Sequence, residues 1–234
     1  MPFYYYYDPT YILVIIAAAF SIWASFRVNS TYKKYAKVRS MSGMTGAMAA
    51  ERILHSQGIY DVRIERVSGN LTDHYDPSSK VLRLSDATYN NASVAAVGVA
   101  AHECGHALQH ARGYAPLRIR GALVPVANLG SNAGILLFMV GLFFYSSMGN
   151  TLLTIGILLF SAAVLFQLVT LPVEFDASGR AVRLLESTGI LGHNELKGTK
   201  KVLRAAALTY VAGAATSIIQ LVRLILIAGG RNRD

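Results

Sequence analysis

Charge is scarce in this sequence, and cysteine is nearly absent. Only 15% of its 234 residues are Asp, Glu, Lys or Arg, well below the roughly 25% of an ordinary globular domain. The single cysteine, Cys104, excludes an intrachain disulfide framework and fits a reducing compartment. The first ten residues contain Asp8 and no Lys or Arg. A secretory signal peptide needs a basic region ahead of its apolar stretch, so this start predicts an uncleaved anchor with its N-terminus outside. The formal net charge of +9 comes with no nucleic-acid-binding fingerprint. The second and third apolar runs hold no ionisable side chain, which a metal-transport path normally requires.

Apolar residues take the place of the missing charge. They make up 53% of the chain, above the ordinary 45–50% or so, which points to a membrane protein. The runs are Tyr11 to Phe26, a stretch within 123–147, Leu152 to Leu171, and 205–228. Tyr4 to Tyr7 and Trp23 suit an interfacial aromatic belt around the first. MGN at 148–150 is a very short connection between the second and third. The fourth carries Gln220 and Arg223, and its Ala212, Gly213, Ala214 and Ala215 suit close helix packing. Arg27, Lys33, Lys34, Lys37 and Arg39 follow the first run, Arg112, Arg118 and Arg120 precede the second, and Arg180, Arg183, Lys197, Lys200, Lys201 and Arg204 follow the third. Basic flanks of this kind place 27–121 and 172–204 in the cytoplasm, and 148–150 outside. The closing RNRD leaves the fourth run open between a full span and a re-entrant or interfacial helix.

Residues 27–121 read as an α+β segment. Helical periodicity covers 45–56, with Gly58 as a stop. VRIERV at 62–67 and KVLRLS at 80–85 alternate as strands, with a turn signal at Asp76-Pro77-Ser78-Ser79. NNASVAAVGVAAHECGHALQHARG reads as one helix, capped by Asn91 or Ser93 and ended by Gly113. The 80–85 strand could offer a sheet edge to an extended substrate; the alternative is a core hairpin.

His102-Glu103-Cys104-Gly105-His106 is an H-E-x-x-H motif. Residues four apart on a helix share a face, so two neutral imidazoles can hold one Zn2+. Three protein ligands leave a position for water, which zinc acidifies, and Glu103 is placed as its general base. Gln109 and Arg112 stand where the long metzincin pattern requires glycine and histidine. His110 lies about 12 Å along the helix axis from His102 at 1.5 Å rise per residue, too far to share the ion, and reads as a surface or substrate-side residue. His55, His74 and His193 have no ligand spacing. Cys104 points off the metal face and reads as a small helix residue. The third ligand must come from elsewhere, and Glu174 in LPVEFDASGRA is the best candidate. With Asp176 it forms an acidic pair at a membrane boundary, which a metal would compensate. On residue chemistry alone, the pair could equally face water or bind Arg180 and Arg183. Tyr210 is either an oxyanion donor or an interfacial tyrosine.

AAHECGHALQH, followed by EFDAS after an apolar helix, resembles the YugP-type neutral zinc metallopeptidases of bacterial membranes, over nearly the whole chain. It is more distantly similar to HtpX-like and CAAX-processing membrane proteases, which pair H-E-x-x-H with a downstream E-x-x-x-D. The resemblance implies that His102, His106 and Glu174 bind zinc and that Glu103 is the catalytic base. The aspartate of the wider pattern is Ser178 here, so Asp176 or Ser178 would have to support a ligand histidine.

The expectation is thus a mostly helical α+β membrane protein. It would have three or four transmembrane helices and a cytoplasmic zincin-like portion, made of the H-E-x-x-H helix plus a small sheet. The expected divisions are an anchor (1–26), a soluble segment with the metal helix (27–121), a helix pair (122–171), a segment with the third ligand (172–204) and a C-terminal apolar helix (205–234). The expected activity is zinc-dependent endopeptidase action on membrane or juxtamembrane proteins at the cytoplasmic face, with the lipid bilayer as surroundings and no nucleic acid. The rival is a non-catalytic zinc-binding scaffold or metal-handling protein, which has no need of Glu103.

Overall fold

The computed structural model describes residues 10–144 and 146–231. Tyr4 to Tyr7, Asp8 and the last three residues lie outside them. The described chain is mostly helical with one small sheet. In order its elements are α1 (Tyr11–Tyr35), α2 (Gly46–Ser56), β1 (Arg63–Val67), β2 (His74–Asp76), β3 (Val81–Ser85), α3 (Asp86–Tyr89), α4 (Val94–Ala111), α5 (Ala115–Phe143), α6 (Ser147–Ser187) and α7 (His193–Arg231). Four of these, α1, α5, α6 and α7, are long and apolar enough to cross a membrane. The described residues fall into two compact units, one within Met1–Ala24, Arg120–Val169 and Tyr210–Asp234, the other Ser25–Ile119 with Thr170–Thr209.

The second unit is built around α4 and the sheet. Ser93 caps α4, its Oγ accepting from the Ala96 amide at 3.2 Å. Gly113, in the left-handed region at φ 61°, ends it, and the Tyr114 amide closes back on the Gln109 carbonyl at 2.9 Å. The sheet order is β1-β3-β2, with β1 parallel and β2 antiparallel to β3. The strand at 80–85 is therefore the central one and offers no edge. Nor does it form a hairpin with 62–67. The chain leaves β1, passes to the far side, lays down the short β2 and returns through the Asp76 turn. Asp76 accepts from the amide and hydroxyl of Ser78 and the hydroxyl of Ser79, bonds that hold its carboxyl well below the usual range. Val81, Leu82 and Leu84 are fully buried, as a central strand requires. Leu82 and Leu84 pack with Ile53 and Leu54 of α2 and Val97, Ala100, Ala101 and Cys104 of α4 into one core, which also takes in Ala181 and Leu185 of α6.

Small residues let α4 be approached closely. A Cβ at Gly98 would lie 2.8 Å from the Thr199 methyl of α7, and one at Gly105 only 2.5 Å from the Ala177 carbonyl oxygen of α6. The second contact brings the α6 backbone against the face that carries the histidines.

α6 does not stop where its apolar run ends. It continues through Pro172 to Ser187 as one helix, so Glu174, Asp176 and Ser178 sit on regular helical turns rather than in a loop. It also begins at Ser147, which puts MGN (148–150) inside its first turns. α7 likewise starts at His193, well ahead of residue 205.

In the first unit, glycines set the packing. A Cβ at Gly134 of α5 would lie 3.0 Å from the Gly156 carbonyl of α6, and one at Gly156 would lie 2.7 Å from the Gly134 carbonyl, the close backbone approach that small residues permit. Two arginines on α7 have partners here. Arg223 donates to Thr10 Oγ1 at 3.1 Å and lies 4.8 Å over the Tyr11 ring. Arg231 donates to the Gly141 carbonyl at 2.7 Å and to that of Phe144. Ser21 Oγ and Thr216 Oγ1 are 3.1 Å apart.

Candidate metal centre

One helical turn separates His102 from His106 on α4, and their rings meet edge to face with centroids 4.8 Å apart. Glu174 reaches them from α6. Its Oε2 lies 3.2 Å from His102 Nε2 and 3.6 Å from His106 Nε2. The three candidate ligand atoms all fall within 4.8 Å of one another, a grouping that could hold a metal ion. Only 2% of Glu174 is exposed, and a carboxylate buried to that degree is costly without compensation. Two imidazole nitrogens facing it, together with a cation, would supply that compensation. Two neutral nitrogens and one carboxylate oxygen converging on a point fit zinc, with a fourth position left open.

The other ring nitrogens are also engaged. Ser178 Oγ is 3.1 Å from His102 Nδ1. Gln109 Oε1 is 2.9 Å from His106 Nδ1. The amide nitrogen of Gln109 donates to the Val173 carbonyl at 2.8 Å and to Asp176 Oδ2 at 2.9 Å. Arg180 Nε donates to the same carboxylate oxygen at 2.6 Å, and its guanidinium lies 5.6 Å over the Tyr114 ring. Ser178 thus touches one histidine directly, while Asp176 reaches the other through Gln109. In the sequence Gln109 stands out only because it excludes the metzincin pattern. Its spacing from His106, one turn on, was the available signal.

Glu103 is buried beside the histidines, and its charge acts on His106. Burial works against protonation of His106, but the Glu174 hydrogen bond and the charges of Glu103 and Glu174 outweigh it and raise the imidazole pKa. Cys104 faces the core, with Sγ 3.6 Å from the Ala50 carbonyl, and burial pushes its thiol up. It remains a neutral core side chain. His110 is turned to the Tyr75 hydroxyl, 2.8 Å from its Nδ1. Burial, with the charges of Asp61 and Asp76, pushes Tyr75 up to about 12. Tyr210 lies on α7, half-buried, in the first unit. His55, His74 and His193 are exposed.

Residues 10–229 match the family described as "Putative neutral zinc metallopeptidase". The chain belongs to that family. It is also 50% identical over 223 residues to the "Putative membrane protease YugP" of Bacillus subtilis (strain 168), a match covering 95% of this chain and 98% of that protein. No solved structure matches the chain. As in other members of a zinc peptidase family, the cofactor is zinc, and His102, His106 and Glu174 form the group suited to it.

Protons compete with zinc for His106. Its pKa is raised above 6.5, so the metal-free ring is protonated at pH values where an ordinary histidine is neutral, and zinc must displace that proton. Zinc affinity is therefore expected to be full above the raised pKa and to fall by up to about tenfold per pH unit below it. Chelator competition across a pH series checks this. An affinity that stays flat from about pH 8 to 5 would contradict it.

Proposed function

We propose that the protein is a membrane-embedded zinc endopeptidase that hydrolyses peptide bonds with Glu103 as general base. The observation that carries this reading is the buried glutamate Glu174 directed at two H-E-x-x-H imidazoles, with a second buried carboxylate, Glu103, on the same helix. A zinc store has no need of the second one.

His102, His106 and Glu174 would hold the ion. Zinc bound there supplies Lewis acidity, acidifying a water molecule and polarising a substrate carbonyl. Glu103 accepts the proton released as water attacks that carbonyl and returns it to the departing amine nitrogen. Burial of Glu103 and Glu174 keeps bulk water from screening these charges. Tyr210 remains a proposed donor to the developing oxyanion. Asp176 and Ser178 are assigned the support of the ligand histidines.

Substrates are proposed to be membrane proteins or their juxtamembrane segments, cut at the cytoplasmic face. Glu174 follows the apolar stretch of α6 within one turn of Leu171, and α5 starts only a few residues after α4 ends. The basic residues that flank the apolar stretches gather on 27–121 and 172–204, which by the positive-inside rule face the cytoplasm. The zincin-like portion would then comprise these two segments, with 1–26, 122–171 and 205–234 in the membrane.

Glu103→Gln keeps the size of the side chain and removes the base. It should retain zinc and lose at least about 100-fold in turnover of an unfolded test substrate. Equal turnover in both proteins would remove Glu103 from the mechanism, and zinc without turnover in either would favour the scaffold. Separately, protease-cleavable tags at Ser146 and Gly189 test the orientation in sealed right-side-out vesicles. The tag at 146 should be cut and that at 189 protected; the reverse pattern would overturn the cytoplasmic assignment.

A further inference from the structure

Gln109 is fully buried and lies among groups whose hydrogen-bonding roles are fixed by their chemistry. The Val173 carbonyl and the Asp176 carboxylate can only accept. Both lie within 3 Å of the same Gln109 atom, at 2.8 and 2.9 Å, so that atom must be the amide nitrogen, and both of its hydrogens are used. The opposite orientation would set three acceptor oxygens against one another. The oxygen of the amide therefore faces His106 Nδ1 at 2.9 Å. An amide oxygen only accepts, so Nδ1 must carry the hydrogen. The other nitrogen of the neutral ring, Nε2, then presents a lone pair, and it is the atom that faces Glu174.

The same amide grips the α6 backbone at Val173, the residue immediately before Glu174. One side chain thus sets the tautomer of one proposed ligand and anchors the backbone beside another. Asp176 keeps the amide from turning over and is itself held by Arg180 at 2.6 Å. His102 is treated differently. Its Nδ1 partner is the Ser178 hydroxyl, which can donate or accept and so imposes no tautomer.

We infer that Gln109 is a positioning residue for the metal centre: held by Asp176 and the Val173 carbonyl, it locks His106 as the Nδ1–H tautomer and presents Nε2 to zinc. This rests on His106 being a zinc ligand. The two histidines thus have different partners behind them, Gln109 for His106 and Ser178 for His102.

The test uses purified full-length protein and zinc alone, with affinity read by chelator competition and the His106 ring read by 15N-histidine NMR of the zinc form. Gln109→Met, nearly isosteric and apolar, should weaken zinc binding 10- to 100-fold, as loss of an orienting partner does. It should also expose the His106 Nδ1–H to rapid solvent exchange. Asp176→Ala should weaken binding less in the wild type and not at all in the Gln109→Met background, because Asp176 acts through Gln109. Unchanged affinity and unchanged exchange in Gln109→Met would overturn the inference while leaving the zinc reading intact. Equal effects of Asp176→Ala in both backgrounds would overturn the relay. If Gln109→Met does not fold, Asp176→Ala alone decides: faster Nδ1–H exchange with weaker zinc supports the lock, and no change in either contradicts it. A wild type that binds no zinc overturns both readings at once.

Discussion

The contact of Gly105 with the Ala177 backbone is the constraint from which the metal centre follows. Any side chain at 105 would meet the Ala177 carbonyl oxygen at 2.5 Å or have to push α6 away. Because glycine stands there, α6 lies against the histidine face of α4. Glu174, almost one turn before Ala177, then arrives within 3.2 Å of His102 and 3.6 Å of His106. The motif residue that carries no chemistry of its own is thus the one that lets the third candidate ligand approach. Helix geometry supplies the rest. Glu174 and Ser178 are four residues apart and share a face of α6, so the glutamate reaches Nε2 while the serine reaches Nδ1 of the same His102 ring.

Burial gives this arrangement its electrostatic character. Glu103 and Glu174 are both withdrawn from water, and each raises the proton affinity of His106. A site that attracts protons in this way also attracts a divalent cation, and for the same reason. The polar groups behind the histidines continue the logic outward from His106 through Gln109, Asp176 and Arg180 to the Tyr114 ring. Desolvation that would be costly for any one of these groups is offset by the next.

Much of the centre is legible in the sequence alone, because its information is local. The spacing of His102 and His106 on a helix needs only 3.6 residues per turn, and Ser93 and Gly113 mark the ends of that helix by their own conformational preferences. What could not be read depended on partners far along the chain. Residues 80–85 have the alternation of a strand, but alternation does not say that the three-residue β2 will turn β3 into the middle strand of the sheet. The end of the apolar run at Leu171 marks the expected end of a span. Hydropathy marks where a membrane would stop, however, and not where a helix does, and α6 goes on to Ser187. The closing RNRD leaves the fourth run open between a full span and a re-entrant or interfacial helix; α7 is long and apolar enough to cross a membrane, and Arg223 within it is held by Thr10 and Tyr11. Glu174 stood even on residue chemistry, since a carboxylate pair next to basic residues has a second explanation. In the structure the two explanations divide: Asp176 takes Arg180, and Glu174 faces the histidines.

The central claim is that one zinc ion is held by two imidazoles and one carboxylate, and X-ray absorption at the zinc edge of the purified protein tests it most directly. The account predicts a shell of nitrogen and oxygen scatterers at about 2.0–2.2 Å with the outer-shell pattern of two histidines, and no sulfur. A zinc–sulfur distance of about 2.3 Å, or an outer shell with a single imidazole, would contradict it.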